Sequence, residues 1–274
     1  MLKSLKYYTP LLGLVLALNT DDIYDNSWAL VIGINDYKNV RKLHYAVEDA
    51  MAIKNMLINE YGFPRKNVRY LIDESATQSN INKELSNIVK SAGENDRVVF
   101  FFAGHGDTES MGIEEGNIGF LIPVDGDAED LFFTAIDMDQ IKRNAKYSKA
   151  KHMLFLVDAC YGGLAAVNTR SLSTSVPNFL DKVSKERSRQ IITAGSEDEE
   201  VIEKDEWQHS AFTKTILSAL KDKKADQNND EFITGTELGL YIQEHVSIET
   251  QNAQTPQAKR LTIHDGEIIF SAKV

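Results

Sequence analysis

Five consecutive apolar residues, Met153 to Val157, run straight into Asp158-Ala159-Cys160-Tyr161-Gly162-Gly163. A wholly apolar run of this length bounded by a turn is the pattern of a strand buried on both faces. A second such run, Val98 to Ala103, ends in Gly104-His105-Gly106. Buried strands need helices on both sides, and in an open parallel sheet the active groups sit just beyond the strands' carboxyl ends. Two neighbouring strands of this kind would bring an imidazole and a thiol together, the pairing that nucleophilic cysteine catalysis requires. Cys160 is the only cysteine of the 274 residues, so it has no disulfide partner and cannot anchor a multi-cysteine metal site. A lone cysteine or histidine is more often an inert core residue. The position of both at strand ends is what weighs against that here.

The remaining pattern predicts an α/β fold with a mostly parallel six-stranded sheet and helices on both faces. Strands are expected at 26–35, 68–72, 97–103, 118–124, 190–194 and 267–270, besides the cysteine strand. Gly33 marks a close approach of another segment. Helices are expected from about Leu43 to Tyr61, from an N-cap at Thr77 to Lys90, and over 136–144, 211–220 and 238–246. Residues 165–189 are polar and basic and read as a long exposed loop with room for one helical turn. Residues 196–206 form an acidic loop.

A net charge of −11 argues against a nucleic-acid partner. No apolar run reaches the roughly 20 residues that span a bilayer. There is no internal repeat, glycine-rich dinucleotide motif or Walker lysine loop. Residues 1–27 read as an N-terminal extension. Lys3 and Lys6 before Leu11–Leu18 are compatible with a short signal peptide, Val15 and Ala17 being small residues before a cut, or with an element packed on the core. The expected location is the cytoplasm, or outside it if residues 1–17 are such a signal.

WALVIGIN from Trp28, LHYAVEDA from Leu43, FFAGHG from Phe101 and LVDACYGG from Leu156 occur in this order. TAGS from Thr193, HSAFT from His209, Ile233-Thr234 with Glu237-Leu238, and QTPQ from Gln254 follow. Together they resemble the caspase-like cysteine peptidases, and most closely the prokaryotic orthocaspase and metacaspase-like branch. Asp158 stands where the caspase signature has Gln, a form that belongs with metacaspases and paracaspases.

The resemblance implies a caspase-like sandwich over 28–274 and a His105–Cys160 dyad. It implies an oxyanion held by the backbone N–H groups of Gly106 and Cys160. It implies cleavage after Arg or Lys, with Asp49 and Asp158 as pocket acids and Glu199 or Glu200 as a third; Glu200 is the one carried forward. Ala103 departs from a pocket serine of some metacaspases. The processing linker of relatives falls at about 165–189, where Arg170 is the candidate for self-cleavage, with Lys182, Lys185, Arg187 and Arg189 also on offer. The partners implied are protein or peptide substrates with a basic residue before the scissile bond, acted on by a monomer. A catalytically silent caspase-like domain serving as a regulatory binding partner is the competing reading; intact His105 and Cys160 speak against it.

Asp226, Asn228, Asp230, Thr234 and Glu237 occupy ligand positions of an EF-hand loop, but Glu231 stands where that loop has glycine. The stretch reads as an eroded calcium loop or a polar turn capping the last helix. Asp125, Asp127, Glu129 and Asp130 form another acidic group that does not map onto the metacaspase calcium cluster. No cofactor is expected to be required, and calcium is expected to be dispensable.

Overall fold

The first strand, β1 (Ser27–Gly33), pairs in parallel with β2 (Val68–Ile72) on one side and β3 (Arg97–Ala103) on the other. β3 pairs in parallel with β7 (His152–Asp158), and β7 with β8 (Ser188–Thr193). An antiparallel edge strand, β12 (Gln257–Arg260), closes the six-stranded sheet in the order β12-β8-β7-β3-β1-β2. These features come from a computed structural model that describes residues 23–110, 117–159, 179–195, 199 and 201–271. The N-terminal stretch 1–22, the candidate leader included, lies outside the described residues.

Every residue of β3 and β7 is buried. Alternate side chains serve opposite layers. Val31, Phe101 and Leu156 face the helices α1 (Ala46–Asn59), α5 (Ala211–Leu220) and α6 (Gly235–Glu249). Ile32, Phe100 and Phe155 face α2 (Gln78–Ser91) and α3 (Met138–Tyr147). Each fully buried Leu, Ile or Phe contributes ~1.5–3 kcal/mol relative to exposure, so the two layers supply most of the driving force. Thr77 caps α2 by accepting from Asn80 N–H, as its sequence position predicts.

Gly33 sets the position of α1. A Cβ there would come within 2.2 Å of the Ala46 carbonyl oxygen. The missing side chain lets the first turn of α1 settle on the carboxyl end of β1, which carries Asp49 to the rim of the sheet. A hairpin of β4 (Gly106–Ser110) and β5 (Asn117–Leu121) leaves the end of β3 and is joined by β6 (Ile136–Asp137).

Several expectations need correction. The sixth strand of the sheet is Gln257–Arg260, a short polar edge strand with no apolar run to betray it. The expected strand at 267–270 shrinks to β13 (Ile269–Phe270), which pairs with β11 (Ile233–Thr234) outside the main sheet. The last helix starts at Gly235 rather than Leu238, because Thr234 and Glu237 form a capping box. The linker expected at 165–189 is not a loop to its end: α4 (Phe179–Lys185) and then β8 occupy its last part. Arg189 is accordingly no cleavage candidate. It is 3% exposed, and its guanidinium donates to the carbonyls of Ala145, Ser148 and Ala150.

Candidate active site

β3 and β7 finish side by side, with Ala103 opposite Asp158. Gly104 N–H donates to the Asp158 carbonyl at 3.2 Å. His105 follows one residue later on one strand, and Ala159 leads into Cys160 on the other. Cys160 lies outside the described residues, as do Arg170 and Glu200.

The His105 loop is held from three sides. Its N–H donates to the Tyr37 hydroxyl at 2.8 Å, and that hydroxyl donates to the Ile122 carbonyl at 3.2 Å. Gly104 makes this possible, since a Cβ there would sit 2.3 Å from the Tyr37 oxygen. The ring then donates from Nε2 to the carbonyl of Arg41 at 2.8 Å. A carbonyl only accepts, so Nε2 carries the proton and the lone pair of the neutral ring lies on Nδ1. Burial holds the imidazole below its usual value, against the hydrogen bond to Arg41. The contact thus orients the ring, and burial favours its uncharged form.

Beside it opens a hollow of about 450 Å3. His105, Gly106, Asp49, Asp158, Glu199 and Glu203 are among its walls. Asp49, Asp158 and Glu199, three of the acids the sequence offered for the pocket, are thus brought together with the predicted base. Ala103 also lines it, on the side where a serine would have been.

The two aspartates are 1% and 2% exposed. Asp49 accepts at Oδ1 from His209 Nδ1 at 2.6 Å and at Oδ2 from Ser210 N–H at 3.2 Å. Asp158 accepts at Oδ2 from the hydroxyls of Ser210 at 2.5 Å and Thr213 at 2.6 Å. Its Oδ1 is buried and has no hydrogen-bond partner among the described residues. Burial raises both carboxyls above the ordinary range. For Asp158 the Asp49 charge adds to the rise; for Asp49 the His209 contact opposes it. An unsatisfied buried carboxyl oxygen costs about 1–3 kcal/mol or more, so a donor reaching Asp158 Oδ1 would be stabilising.

Three contributors escaped the sequence reading. The Arg41 carbonyl has no side-chain signature. Glu203 is one of several acids in the stretch expected to be an acidic loop; it accepts from the N–H groups of His44 and Tyr45 and so steadies the start of α1. His209 lies in the HSAFT segment, but only the pairing of β10 (His209–Ser210) with β9 (Glu203–Lys204) aims it at Asp49.

The candidate calcium loop is built differently. Asp226 accepts from the N–H groups of Asp230 and Glu231, Asn228 from that of Asp230, and Asp230 from that of Phe232. Glu237 accepts from both the N–H and the hydroxyl of Thr234. Glu231 takes φ 71°, the left-handed conformation for which such loops use glycine. Among the described residues no group of three or more His, Cys, Asp or Glu is arranged to hold a metal. None of their helices is long and apolar enough to cross a membrane.

A family model described as the caspase domain matches residues 26–265. Metacaspase-1 of Eremothecium gossypii is 30% identical over 149 residues, covering 51% of this chain and 32% of its own length. Metacaspase-8 of Arabidopsis thaliana is 30% identical over 146 residues, covering 49% and 36%. A probable protease from a Desulfuromonadales bacterium is 31% identical over 151 residues, covering 49% and 18%. The matches thus span about a third or less of these relatives' own lengths. Among solved structures, a protein of Geobacter sulfurreducens superposes with a TM-score of 0.60 at 16% identity, over 86% of this chain and 93% of that one, a likeness of fold.

Proposed function

This chain belongs to the caspase-domain family, and from that premise we propose that it is a cysteine endopeptidase that cuts after Arg or Lys. The observation that carries the specificity is Asp158 Oδ1, buried and without a hydrogen-bond partner among the described residues, on a residue lining a hollow walled by five acids beside His105. A guanidinium or ammonium entering there would supply the missing donors and the opposite charge at once.

The chemistry follows from the chain's own groups. His105 Nδ1 takes the proton of Cys160, and the imidazolium stabilises the thiolate it leaves. The thiolate attacks the carbonyl carbon of the scissile bond. The backbone N–H groups of Gly106 and Cys160 hold the developing oxyanion. His105 returns the proton to the leaving amine, and water then releases the acyl group from sulfur with the same imidazole as base. The Arg41 carbonyl keeps the ring in the productive tautomer and stabilises its charged form. Substrates are peptides or proteins carrying an exposed basic residue. The chain's own Arg170 is a basic residue of the class such a hollow would take, and we assign self-cleavage to it.

Fluorogenic peptides differing only in the residue before the scissile bond, Arg, Lys, Asp or Asn, test both parts of this reading. The wild type should release fluorophore from the Arg and Lys peptides alone, and Cys160→Ala from none. On denaturing gels the wild type should split and both Cys160→Ala and Arg170→Ala stay whole. Preference for Asp or Asn would overturn the specificity; turnover by Cys160→Ala would overturn the nucleophile.

A further inference from the structure

Two carboxyls confined in one poorly solvated space do not both ionise at ordinary cost, because each charge opposes the other. The structure gives Asp49 and Asp158 unequal help. Asp49 accepts at one oxygen from the imidazole of His209 at 2.6 Å and at the other from the Ser210 N–H at 3.2 Å, so both its oxygens are met by donors. Among the described residues Asp158 is met by the neutral hydroxyls of Ser210 and Thr213, and both bind the same oxygen. Its other oxygen, without an acceptor or a donor among the described residues, is where a proton can reside at least electrostatic cost.

We propose that the empty hollow holds one proton on Asp158 because His209 secures the charge of Asp49, and that a basic side chain entering the hollow expels that proton. His209 is then a positioning residue for cation selection. The inference rests on the reading of the hollow as the seat of a basic side chain. The balance is simple: the carboxylic acid and the guanidinium become a carboxylate–guanidinium pair, and one proton goes to solvent.

The surroundings agree. Glu199, Glu203 and Asp107, from β4, add acidic groups to the same walls, and Arg41 and His105 line them too. Both carboxyls are raised by burial, Asp158 additionally by its neighbour's charge. Behind His209 lies a second cavity of about 570 Å3, whose charged walls are Glu60, Lys214, Lys221, Asp222 and Lys224. Lys214 is engaged with Glu249 and Lys224 lies 3.7 Å from Asp222, while Lys204 sits opposite His209 in the β9–β10 pair. The His209 side chain is 23% exposed, so it can exchange protons with water while Asp49 cannot.

The test uses the full chain carrying Cys160→Ala, with agmatine as the free guanidinium probe. Calorimetric titration at neutral pH in phosphate and in Tris, buffers of different ionisation heat, counts protons. About one proton should be released per agmatine bound, and affinity should rise about tenfold per pH unit up to the neutral range. Adding His209→Leu leaves Asp49 without its Nδ1 donor. Affinity should fall and the release should move toward two protons. His209→Gln, whose amide still donates to Asp49, should bring the count back toward one. A merely structural His209 would lower affinity in both variants without altering the proton count, and that result overturns its role. Agmatine binding with no proton release overturns the proposal and leaves the basic-side-chain reading standing. Agmatine that fails to bind at any pH removes both.

Discussion

The chain carries two acid-rich centres that look alike on paper and are opposites in construction. In the turn from Asp226 to Glu237 the carboxylates are met by amide and hydroxyl groups from within the same segment. At the strand ends Asp49 and Asp158 come from segments far apart in the chain, both are buried, and one oxygen has no donor among the described residues. The first centre is finished when the chain folds. The second is left with an electrostatic deficit that a ligand can fill. Density of acids therefore says little about where a cation belongs; burial combined with an unmet hydrogen bond says much more.

The sharpest way to break this contrast is to remove one charge from each centre. Asp158→Asn should lower kcat/KM on an Arg peptide by about 100-fold, since an amide opposed to guanidinium donors replaces an ion pair with a repulsion. Asp226→Asn makes the same chemical change in the turn and should alter kcat/KM by less than about twofold, as surface substitutions remote from a site do. Equal losses in the two variants would mean that the hollow has no special claim on the basic side chain.

How much of this was legible in advance depended on where the information resides. The runs Val98–Ala103 and Met153–Val157 announced buried strands, and His105 followed because motifs at strand ends lie at the rim of a parallel sheet, whereas Asp158 was singled out through the family resemblance. Gly33 signalled a close approach, and the structure answers with the Ala46 carbonyl. Asp49 was legible through its segment LHYAVEDA. The hydrogen-bond partners were not. Arg41 serves through a carbonyl that every residue possesses. His209 acts because a two-residue strand turns it toward an aspartate 160 positions earlier in the chain. Gln257–Arg260 joins the sheet through its backbone, with Lys259 and Arg260 in place of an apolar pattern. Such edge strands carry charge to discourage further pairing, which hides them from a reading based on hydrophobic runs.

Stability against pH gives a second, smaller test of the contrast. An aspartate in an unfolded chain titrates near pH ~3.9, and burial holds Asp158 above that in the folded protein. Between the two values folding takes up a proton. The stability that protonated Asp158 confers is therefore complete below the unfolded value and is lost as pH rises through the folded one. Asp158→Asn removes the titration. Its amide oxygen can accept from Ser210 and Thr213 while its NH2 occupies the Oδ1 side. The variant should match the wild type in acid and exceed it by about 1–2 kcal/mol at alkaline pH, read from urea unfolding across the pH range. A gap that stays constant with pH would show that the carboxyl is not held protonated.

The smallest effect belongs to the turn. Thr234 is 1% exposed and caps α6, and Glu237 returns the bond from the third helical position. Replacing Thr234 by Val keeps the shape and deletes the cap, which should cost about 1 kcal/mol and lower the melting temperature by roughly 2–4 °C. Activity toward the Arg peptide should be unaltered at temperatures well below melting. Because the loop's carboxylates already serve its own N–H groups, millimolar calcium should leave the wild-type melting temperature in place, and a chelator should leave turnover in place. A calcium-dependent rise in melting temperature that Asp226→Asn and Asp230→Asn abolish would show the amides giving way to a cation. The turn would then be a ligand site awaiting its ion, and being satisfied from within would no longer distinguish it from the hollow.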